Sequence, residues 1–331
     1  MELREVTSAA EWDGYIANHP YGHPLQCWGW GDVKAATGWR AHRLALLDGG
    51  QFRAGAQVLT RPFPGMPLTM LYAPRGPVCA PEDGETLREL SGGMRSLGTS
   101  ERAIFCKVDP SWPAGTAHQL EHAGFRPSAE TVQVTDTYTI DLTRSEEDIL
   151  AQMRSKTRQY IRKGEREGAR IERDTTGEWL GACYRIYEET AKRAHFGLHP
   201  RDYYDHLFRL FPADRQYLYV ALHDNEPLSF LWMVCAGRQA VEFYGGVSDA
   251  GQDYKSNYLL KWHAMREMKA AGYTLYDLNG RVNEGISQFK QGFGPDETSW
   301  IGPFDIVYHP MLYAAWTRGL PLARRLARRA G

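Results

Sequence analysis

Four stretches of the chain carry residues whose types and spacing could do chemistry. In the first, Met153-Arg154-Ser155-Lys156-Thr157-Arg158-Gln159-Tyr160-Ile161-Arg162-Lys163, arginines recur every fourth position from 154 to 170. Residues four apart lie about 40° apart around a helix, so Arg154, Arg158, Arg162 and Arg166 form one slowly winding cationic stripe. A solvated helix face and a phosphate contact both fit it; arginine in place of lysine favours phosphate, which the guanidinium fork matches. In the second, Lys290 stands between Phe289 and Gly292-Phe293. It is either a surface lysine or, on a tight backbone turn beside aromatics, a cation aimed at a developing oxyanion. In the third, Asp109 ends the apolar strand Ile104–Val108, as a cap for the next turn or as a base or amine anchor facing a cleft. The fourth, Tyr72-Ala73-Pro74-Arg75-Gly76-Pro77, offers Arg75 on a rigid turn, or only a bend.

Other chemistries find no residues. The five cysteines (Cys27, Cys79, Cys106, Cys183, Cys235) are scattered among apolar neighbours without metal-ligand spacing, as reduced core residues of a cytoplasmic protein would be. No metal site is expected. No Ser/His/Asp or Cys/His arrangement suggests a covalent enzyme intermediate. No apolar run approaches the roughly 20 residues of a membrane span, and the N-terminus lacks the apolar region of a secretion signal. The net charge of −1 predicts no nucleic-acid partner by itself, yet the arginine stretch and the closing RGLPLARRLARRA concentrate positive charge locally.

These residues must be positioned by a fold, and a weak internal repeat says which. Ala45-Leu46-Leu47-Asp48 recurs as Ala221-Leu222-His223-Asp224, and Leu71-Tyr72 before Gly76-Pro77-Val78 as Phe243-Tyr244 before Gly245-Gly246-Val247. Each is followed by a helical stretch (around 85–97 and 259–271), then a short strand ending in aspartate (103–108 and 274–278). Gly124-Phe125-Arg126-Pro127 then matches Gly292-Phe293-Gly294-Pro295. Five matches in one order indicate a duplicated mixed α/β unit: antiparallel meander, helix, strand, return segment. The boundary falls near Asp141–Ser145, giving domains 1–144 and 145–304, with 305–331 packing back on the first. A single helix, capped at Thr143 or Ser145 and stopped at Gly168, opens the second domain.

A doubled unit with a late glycine turn invites comparison with acetyl-CoA-dependent N-acyltransferases. Their pyrophosphate turn, Arg/Gln-x-x-Gly-x-Gly/Ala, is missing: three residues before Gly292 stands Phe289, and before Gly285, Val282. A closer resemblance follows from the motifs in order. Trp28-Gly29-Trp30-Gly31-Asp32-Val33-Lys34, the Tyr72–Pro77 loop, Lys107-Val108-Asp109-Pro110, the arginine stretch, Tyr276-Asp277-Leu278 and Gly285–Gly294 resemble, over residues 26–313, the FemABX family of peptidyltransferases. The resemblance implies two tandem GNAT-like domains with a substrate cleft between them. It also implies transfer of an amino acid (Gly, Ala or Ser) from aminoacyl-tRNA to the side-chain amine of a peptidoglycan precursor. By family pattern Lys34 and, less directly, Arg193 would bind the precursor's pyrophosphate. Tyr244 would line the peptide channel, Phe289 and Lys290 would meet the acceptor end of the tRNA, and Asp109 would be a cleft aspartate. Tyr72 and Arg75 join the substrate-binding candidates, and the arginine stripe would hold tRNA. Only about twenty residues separate Phe196 from the strand at Tyr217, too few for the long helical arm of some members, so the chain resembles the compact members that use the soluble UDP-linked pentapeptide.

The expected partners are aminoacyl-tRNA and either UDP-MurNAc-pentapeptide or lipid II, with no cofactor, no DNA, at most peripheral membrane contact and a monomeric state. The rival readings are an acyl-CoA-dependent N-acyltransferase on the same fold and a non-catalytic tRNA- or precursor-binding module.

Overall fold

Each half of the chain turns its first hairpin on two consecutive left-handed residues, Gly49–Gly50 and Asp224–Asn225. Two-residue loops with positive φ match the twist of the strands they join, so both halves begin a meander at equivalent places. The equivalence lies one residue from the alignment read off the sequence: Asp48, not Leu47, is the counterpart of His223, the first closing its hairpin opposite Gln51 and the second opposite Glu226. The computed structural model describes residues 1–281, 284–294 and 296–319. Val282, Asn283 and Pro295 of the glycine-rich motifs, and the basic stretch from 320 onward, lie outside the described residues.

The first unit holds β1 (Glu2–Glu5), α1 (Ala9–Asn18), α2 (Trp28–Ala35), β2 (Arg40–Asp48), β3 (Gln51–Pro62), β4 (Thr69–Ala73), α3 (Gly84–Ser100), β5 (Ala103–Val108), α4 (Ala117–His122) and β6 (Arg126–Pro127). Then come β7 (Asp136–Asp141), α5 (Glu146–Gln152), α6 (Ser155–Arg166), β8 (Arg170–Asp174), α7 (Leu180–Ala194), α8 (Arg201–Leu210), β9 (Gln216–His223), β10 (Glu226–Ala236) and β11 (Gln239–Val247). The chain continues through α9 (Asp249–Tyr254), α10 (Ser256–Ala270), β12 (Leu275–Asp277), α11 (Glu284–Gln291), β13 (Glu297–Ser299) and β14 (Phe304–Val307).

Two seven-stranded sheets result, ordered β1-β2-β3-β4-β5-β14-β6 and β13-β7-β12-β11-β10-β9-β8. In each, an antiparallel meander is followed by a helix (α3 or α10) and a strand that returns parallel to the meander's last one, β4 with β5 and β11 with β12. The helix buries an apolar face on its sheet. Leu87, Leu90 and Met94 of α3 meet Leu44, Val58, Leu71 and Cys106; Leu260, Ala264 and Met268 of α10 meet Tyr219, Met233 and Cys235. All five cysteines are buried and none is disulfide-bonded.

The place next to the parallel strand is filled from the other half of the sequence. Between β5 and β6 lies β14, and between β12 and β13 lies β7. The units are therefore residues 1–21, 25–135 and 300–331, and residues 22–24 and 136–299. This moves the boundary from 144/145 to 135/136, because the strand 136–141 finds its hydrogen bonds in the second sheet.

The helix expected to run unbroken to Gly168 is two. Met153 and Arg154 are extended, and the Arg154 amide donates to the Gly292 carbonyl at 3.0 Å, so the chain docks there and restarts as α6. Ser145 caps α5 through the Asp148 amide at 3.1 Å. Gly164 of α6 lies where a Cβ would come within 2.9 Å of Leu259, letting α6 pack close on α10. Where the long helical arm would be, between Phe196 and β9, stands the ten-residue α8.

Candidate active site

In the second unit the residues converge on the turn after β12. Asp277, buried at the strand's end, accepts the Thr137 hydroxyl at 2.6 Å and the Asn279 amide at 2.7 Å. The Thr137 oxygen in turn accepts the Gly280 amide at 2.8 Å. Asn279 and Gly280 both take positive φ, a conformation Asn tolerates better than most residues. Their carbonyls hold one ammonium: Lys290 donates to each at 2.9 Å. Two of its three N–H bonds are thereby oriented. Burial pushes the Lys290 pKa down to about 8, with Lys261 pushing the same way and Glu242 and Asp277 opposing. At neutral pH Lys290 is still mostly protonated, yet holds its proton far less firmly than an ordinary lysine.

Beneath it is a second buried charge system. Lys261, on the sheet-facing side of α10, donates to Glu242 of β11, whose other oxygen accepts the Tyr276 hydroxyl at 2.7 Å. Lys261 also lies 5.4 Å from the Phe289 ring centre and 5.8 Å from that of Phe293. A buried ion pair survives desolvation only when its remaining hydrogen bonds are made, which Tyr276 helps to do here.

In the first unit a tight network closes the ends of β4 and β5. Asp109 accepts the Arg75 amide and the Tyr72 hydroxyl, each at 2.7 Å, one on each carboxylate oxygen. Arg75, left-handed at φ 54°, sends its guanidinium to the Val134 carbonyl at 2.8 Å. Burial raises the Asp109 pKa, against the opposing pull of Arg75 and Tyr72. Lys34 stands in the last turn of α2, its ammonium 4.6 Å over the Trp30 ring. Burial, then Arg61, lowers its pKa to about 8.

With this geometry in view, comparison with known proteins places the chain. A family model described as the FemAB family matches residues 7–119, 114–228 and 222–318. The chain belongs to the FemAB family. It is 22% identical to a lipid II:glycine glycyltransferase of Staphylococcus epidermidis, over 95% of this chain and 94% of the relative. That alignment runs to 394 positions against 331 residues here, so the relative carries segments this FemAB chain lacks. Among solved structures, a crystal structure of FemX matches with a TM-score of 0.88 at 21% identity, over 96% of this chain and all of the other. A tandem GNAT protein from the clavulanic acid biosynthesis pathway matches at 0.54 and 15% identity, over 92% and 98%. The fold is thus two GNAT-like domains in tandem.

Several sequence candidates of this FemAB chain sit differently from expectation. Lys290 and Phe289 belong to the last turn of α11, not to a tight glycine turn. Phe289 packs on Tyr258 (4.9 Å) and Phe293 (5.3 Å), so its ring contributes to the core that backs Lys290. Asp109 is held by Tyr72 and the Arg75 amide, and the Arg75 guanidinium reaches the Val134 carbonyl. Arg158 leaves the cationic stripe: its guanidinium covers the carbonyls of Leu150, Ala151 and Met153 at the end of α5. Arg154 reaches Gln291, while Arg162 and Arg166 are exposed. Arg193, at the end of α7, pairs with Asp249 at 2.9 Å and donates to the Val247 carbonyl at 2.7 Å. Tyr244 joins an aromatic group with Tyr187 (5.7 Å) and Tyr204 (5.0 Å). Burial, then Tyr203, holds its phenol neutral, well above the ordinary pKa.

An open groove of about 540 Å³ runs along Glu284, Ser287, Gln288 and Gln291, the face of α11 away from Lys290, with Asp136, Tyr138, Arg281 and Glu297 opposite. Three carboxylates, with the single arginine paired to Glu297 at 3.3 Å, make it unsuited to phosphate. The glycines at the end of β11 lack the CoA turn as well. Three residues before Gly245 and Gly246 are Glu242 and Phe243, neither the required Arg or Gln.

Sequence reading passed over Glu242, Lys261 and Thr137. Two of them left a trace: a glutamate inside the apolar strand Val241-Glu242-Phe243 and a lysine between Leu260 and Trp262. Opposite charges at two positions patterned as buried are themselves a pairing signal.

Proposed function

We propose that this chain, an aminoacyltransferase of the FemAB family, moves an amino acid from aminoacyl-tRNA to the side-chain amine of a peptidoglycan precursor's stem peptide, extending the interpeptide bridge. Lys290 is the observation that carries the reading: a half-buried ammonium, fixed by two backbone carbonyls, with one N–H left to meet a reacting oxygen. The relative named for glycine transfer to lipid II, matched along nearly its whole length, supports the substrate class and makes glycine the first amino acid to try, before alanine or serine.

The reaction is ester aminolysis. The acceptor nitrogen attacks the ester carbonyl, the tetrahedral intermediate collapses to an amide, the C–O bond to ribose breaks, and the nitrogen's proton ends on the departing ribose oxygen. A free lysine-type amine has a pKa near 10.4, so presenting it deprotonated at neutral pH costs roughly 4 kcal/mol. Alignment of amine and ester can offset more than that. Lys290 stabilises the developing oxyanion or the departing ribose oxygen, worth about 3 kcal/mol for a donor of that kind. Lys34 takes the precursor's pyrophosphate. Asp109 serves as a positioning residue for Tyr72 and Arg75. Arg154, Arg162 and Arg166 hold the tRNA, with Arg158 bracing α6 beneath them.

A donor comparison tests this. Purified protein and pentapeptide precursor, given glycyl-, alanyl- or seryl-tRNA or an acyl-CoA, should form the new amide only with charged tRNA, and RNase should abolish it. RNase-resistant transfer from acyl-CoA would overturn the reading. Replacing Arg162 and Arg166 by Gln should flatten the salt dependence of tRNA binding by up to about one unit of slope per lost phosphate contact.

A further inference from the structure

Helix α6 has two cationic sides, and the arginines occupy only one of them. Lys156 stands four positions before Tyr160 and Lys163 three after it, so the three share a side of the helix. Arg162, two positions on from Tyr160, points about 200° away. The lysine side meets the start of α10. There the Tyr160 ring lies tilted against Tyr258 at 4.9 Å, with the Lys255 ammonium 5.2 Å and the Lys156 ammonium 5.6 Å from its centre. Tyr258 in turn packs edge-on against Phe289 at 4.9 Å, and Phe289 directly precedes Lys290 in α11. A path of half-buried rings thus leads from α6 to the residue beside the ammonium that carries the proposed function.

Packing of α6 on α10 accounts for the rings but not for their surroundings. Neither the Tyr160 nor the Tyr258 hydroxyl has a hydrogen-bond partner among the described residues. Lys156, Lys163 and Lys255 form no ion pair among them either; the carboxylates nearest in sequence, Glu165, Glu167 and Asp253, are exposed and unpaired with these ammoniums. Lys255 takes φ 56°, a conformation glycine would adopt without strain, and its ammonium turns back onto the Gln252 carbonyl at 2.6 Å. A lysine kept at such a backbone position indicates that its ammonium is wanted there. Rings flanked by uncompensated ammoniums fit single-stranded nucleic acid, whose bases stack while its phosphates meet the cations. A pyrophosphate would use the lysines and leave the rings idle. A duplex would do the same, because its bases are already stacked on one another.

We propose that the lysine–tyrosine side of α6 is a platform for the unpaired 3′ end of an RNA, its bases stacking on Tyr160 and Tyr258 and its phosphates lying on Lys156, Lys163 and Lys255. That the RNA is an aminoacyl-tRNA rests on the proposed function; the platform does not. A tRNA ends in a few unpaired nucleotides, and the last ribose carries the ester. Laid along Tyr160, Tyr258 and Phe289, those nucleotides deliver the ester to Lys290. Arg162 and Arg166, on the other side of α6, are then a separate contact that reads charge alone.

Two acceptor-stem RNA hairpins test it with the full chain, one blunt and one with an unpaired 3′ overhang carrying 2-aminopurine at each position in turn. Stacking quenches 2-aminopurine fluorescence. The overhang hairpin should bind more tightly than the blunt one and lose fluorescence at one overhang position or more. Tyr160→Ala should weaken overhang binding by about tenfold, the scale of one base–aromatic stack. It should also relieve the quench and leave blunt binding unchanged, while Tyr160→Trp should restore both signals. Lys156→Gln/Lys163→Gln should keep the quench and flatten the salt dependence by up to about one unit of slope per lost phosphate contact. Equal affinity for the two hairpins, or Tyr160→Ala binding the overhang like wild type, would overturn the proposal. So would a Trp variant as weak as the Ala variant, which would mean lost structure and not lost stacking. Overhang-dependent quenching in a chain that transfers nothing from charged tRNA would refute the proposed function and leave the platform standing. Transfer from charged tRNA with an unchanged KM in Tyr160→Ala would do the reverse.

Discussion

Asp109 and Asp277 close equivalent parallel strands, β5 and β12, in the two halves of a duplicated fold, and their surroundings have diverged. Around Asp109 both carboxylate oxygens are taken by the first unit's own loop, the Arg75 amide and the Tyr72 hydroxyl. Around Asp277 the same kind of network locks a turn whose two carbonyls are free to hold Lys290. One copy has become a brace; the other has become the footing of a cation. The buried charges nearby diverge likewise. Lys107 of the first unit pairs with Asp305 at 3.0 Å, beside the Tyr313 hydroxyl, whereas Lys261 of the second pairs with Glu242 beneath Phe289 and Phe293. Duplication supplied two equivalent sites, and the proposed function puts the chemistry in the second.

If so, the largest effect should come from breaking the second unit's buried pair. Lys261→Met leaves Glu242 charged and buried, with Tyr276 as its remaining hydrogen-bond donor among the described residues. Breaking such a pair typically costs about 3–5 kcal/mol, to be read from the urea midpoint. A loss under about 1 kcal/mol would mean that the pair is solvated and cannot influence Lys290.

Asp109→Ala should be next. It strands the Arg75 amide and the Tyr72 hydroxyl, and an unsatisfied buried group costs about 1–3 kcal/mol. Asp109→Asn should retain transfer within tenfold, because a brace needs acceptors more than charge. A hundredfold loss in the Asn variant at unchanged stability would restore Asp109 as a base and undo the contrast.

The pH profile sharpens the comparison further. Lys290 is charged below about 8 and neutral above. Single-turnover transfer should therefore rise about tenfold per pH unit as the acceptor amine deprotonates, then level off above about 8, where loss of the Lys290 proton cancels that gain, after correction for ester hydrolysis. Glu242 raises the Lys290 pKa and Lys261 lowers it. Glu242→Gln should move this break to lower pH and Lys261→Met to higher. Shifts in one common direction would show a general loss of structure.

Much of this was legible in the sequence because the duplication repeats local signals: paired turn residues, a helix of fixed length, a strand ending in aspartate. The boundary was misplaced because β7 and β14 are short strands, and their pairings with β12 and β5, formed across more than 130 residues, leave no local mark. Arg158 was misread for a related reason. Its i+4 spacing is visible in the sequence, but the break at Met153, which leaves α5 carbonyls for it to cover, depends on docking to Gly292. Lys290 was found by its motif, while the groups that tune it come from β11, α10 and β12, up to 48 residues earlier in the chain.

Lys290→Met in single-turnover transfer of labelled glycine from glycyl-tRNA to the pentapeptide precursor is the most direct test of the central claim. Lys290 gives up only two hydrogen bonds to a turn already fixed by Asp277 and Thr137, so the variant should fold and bind both substrates with unchanged affinity. Its transfer rate should fall by about 10²–10³, the size of a lost oxyanion donor. A fall of less than tenfold with binding intact would contradict the assignment and return the second strand-end site to the same bracing role as the first.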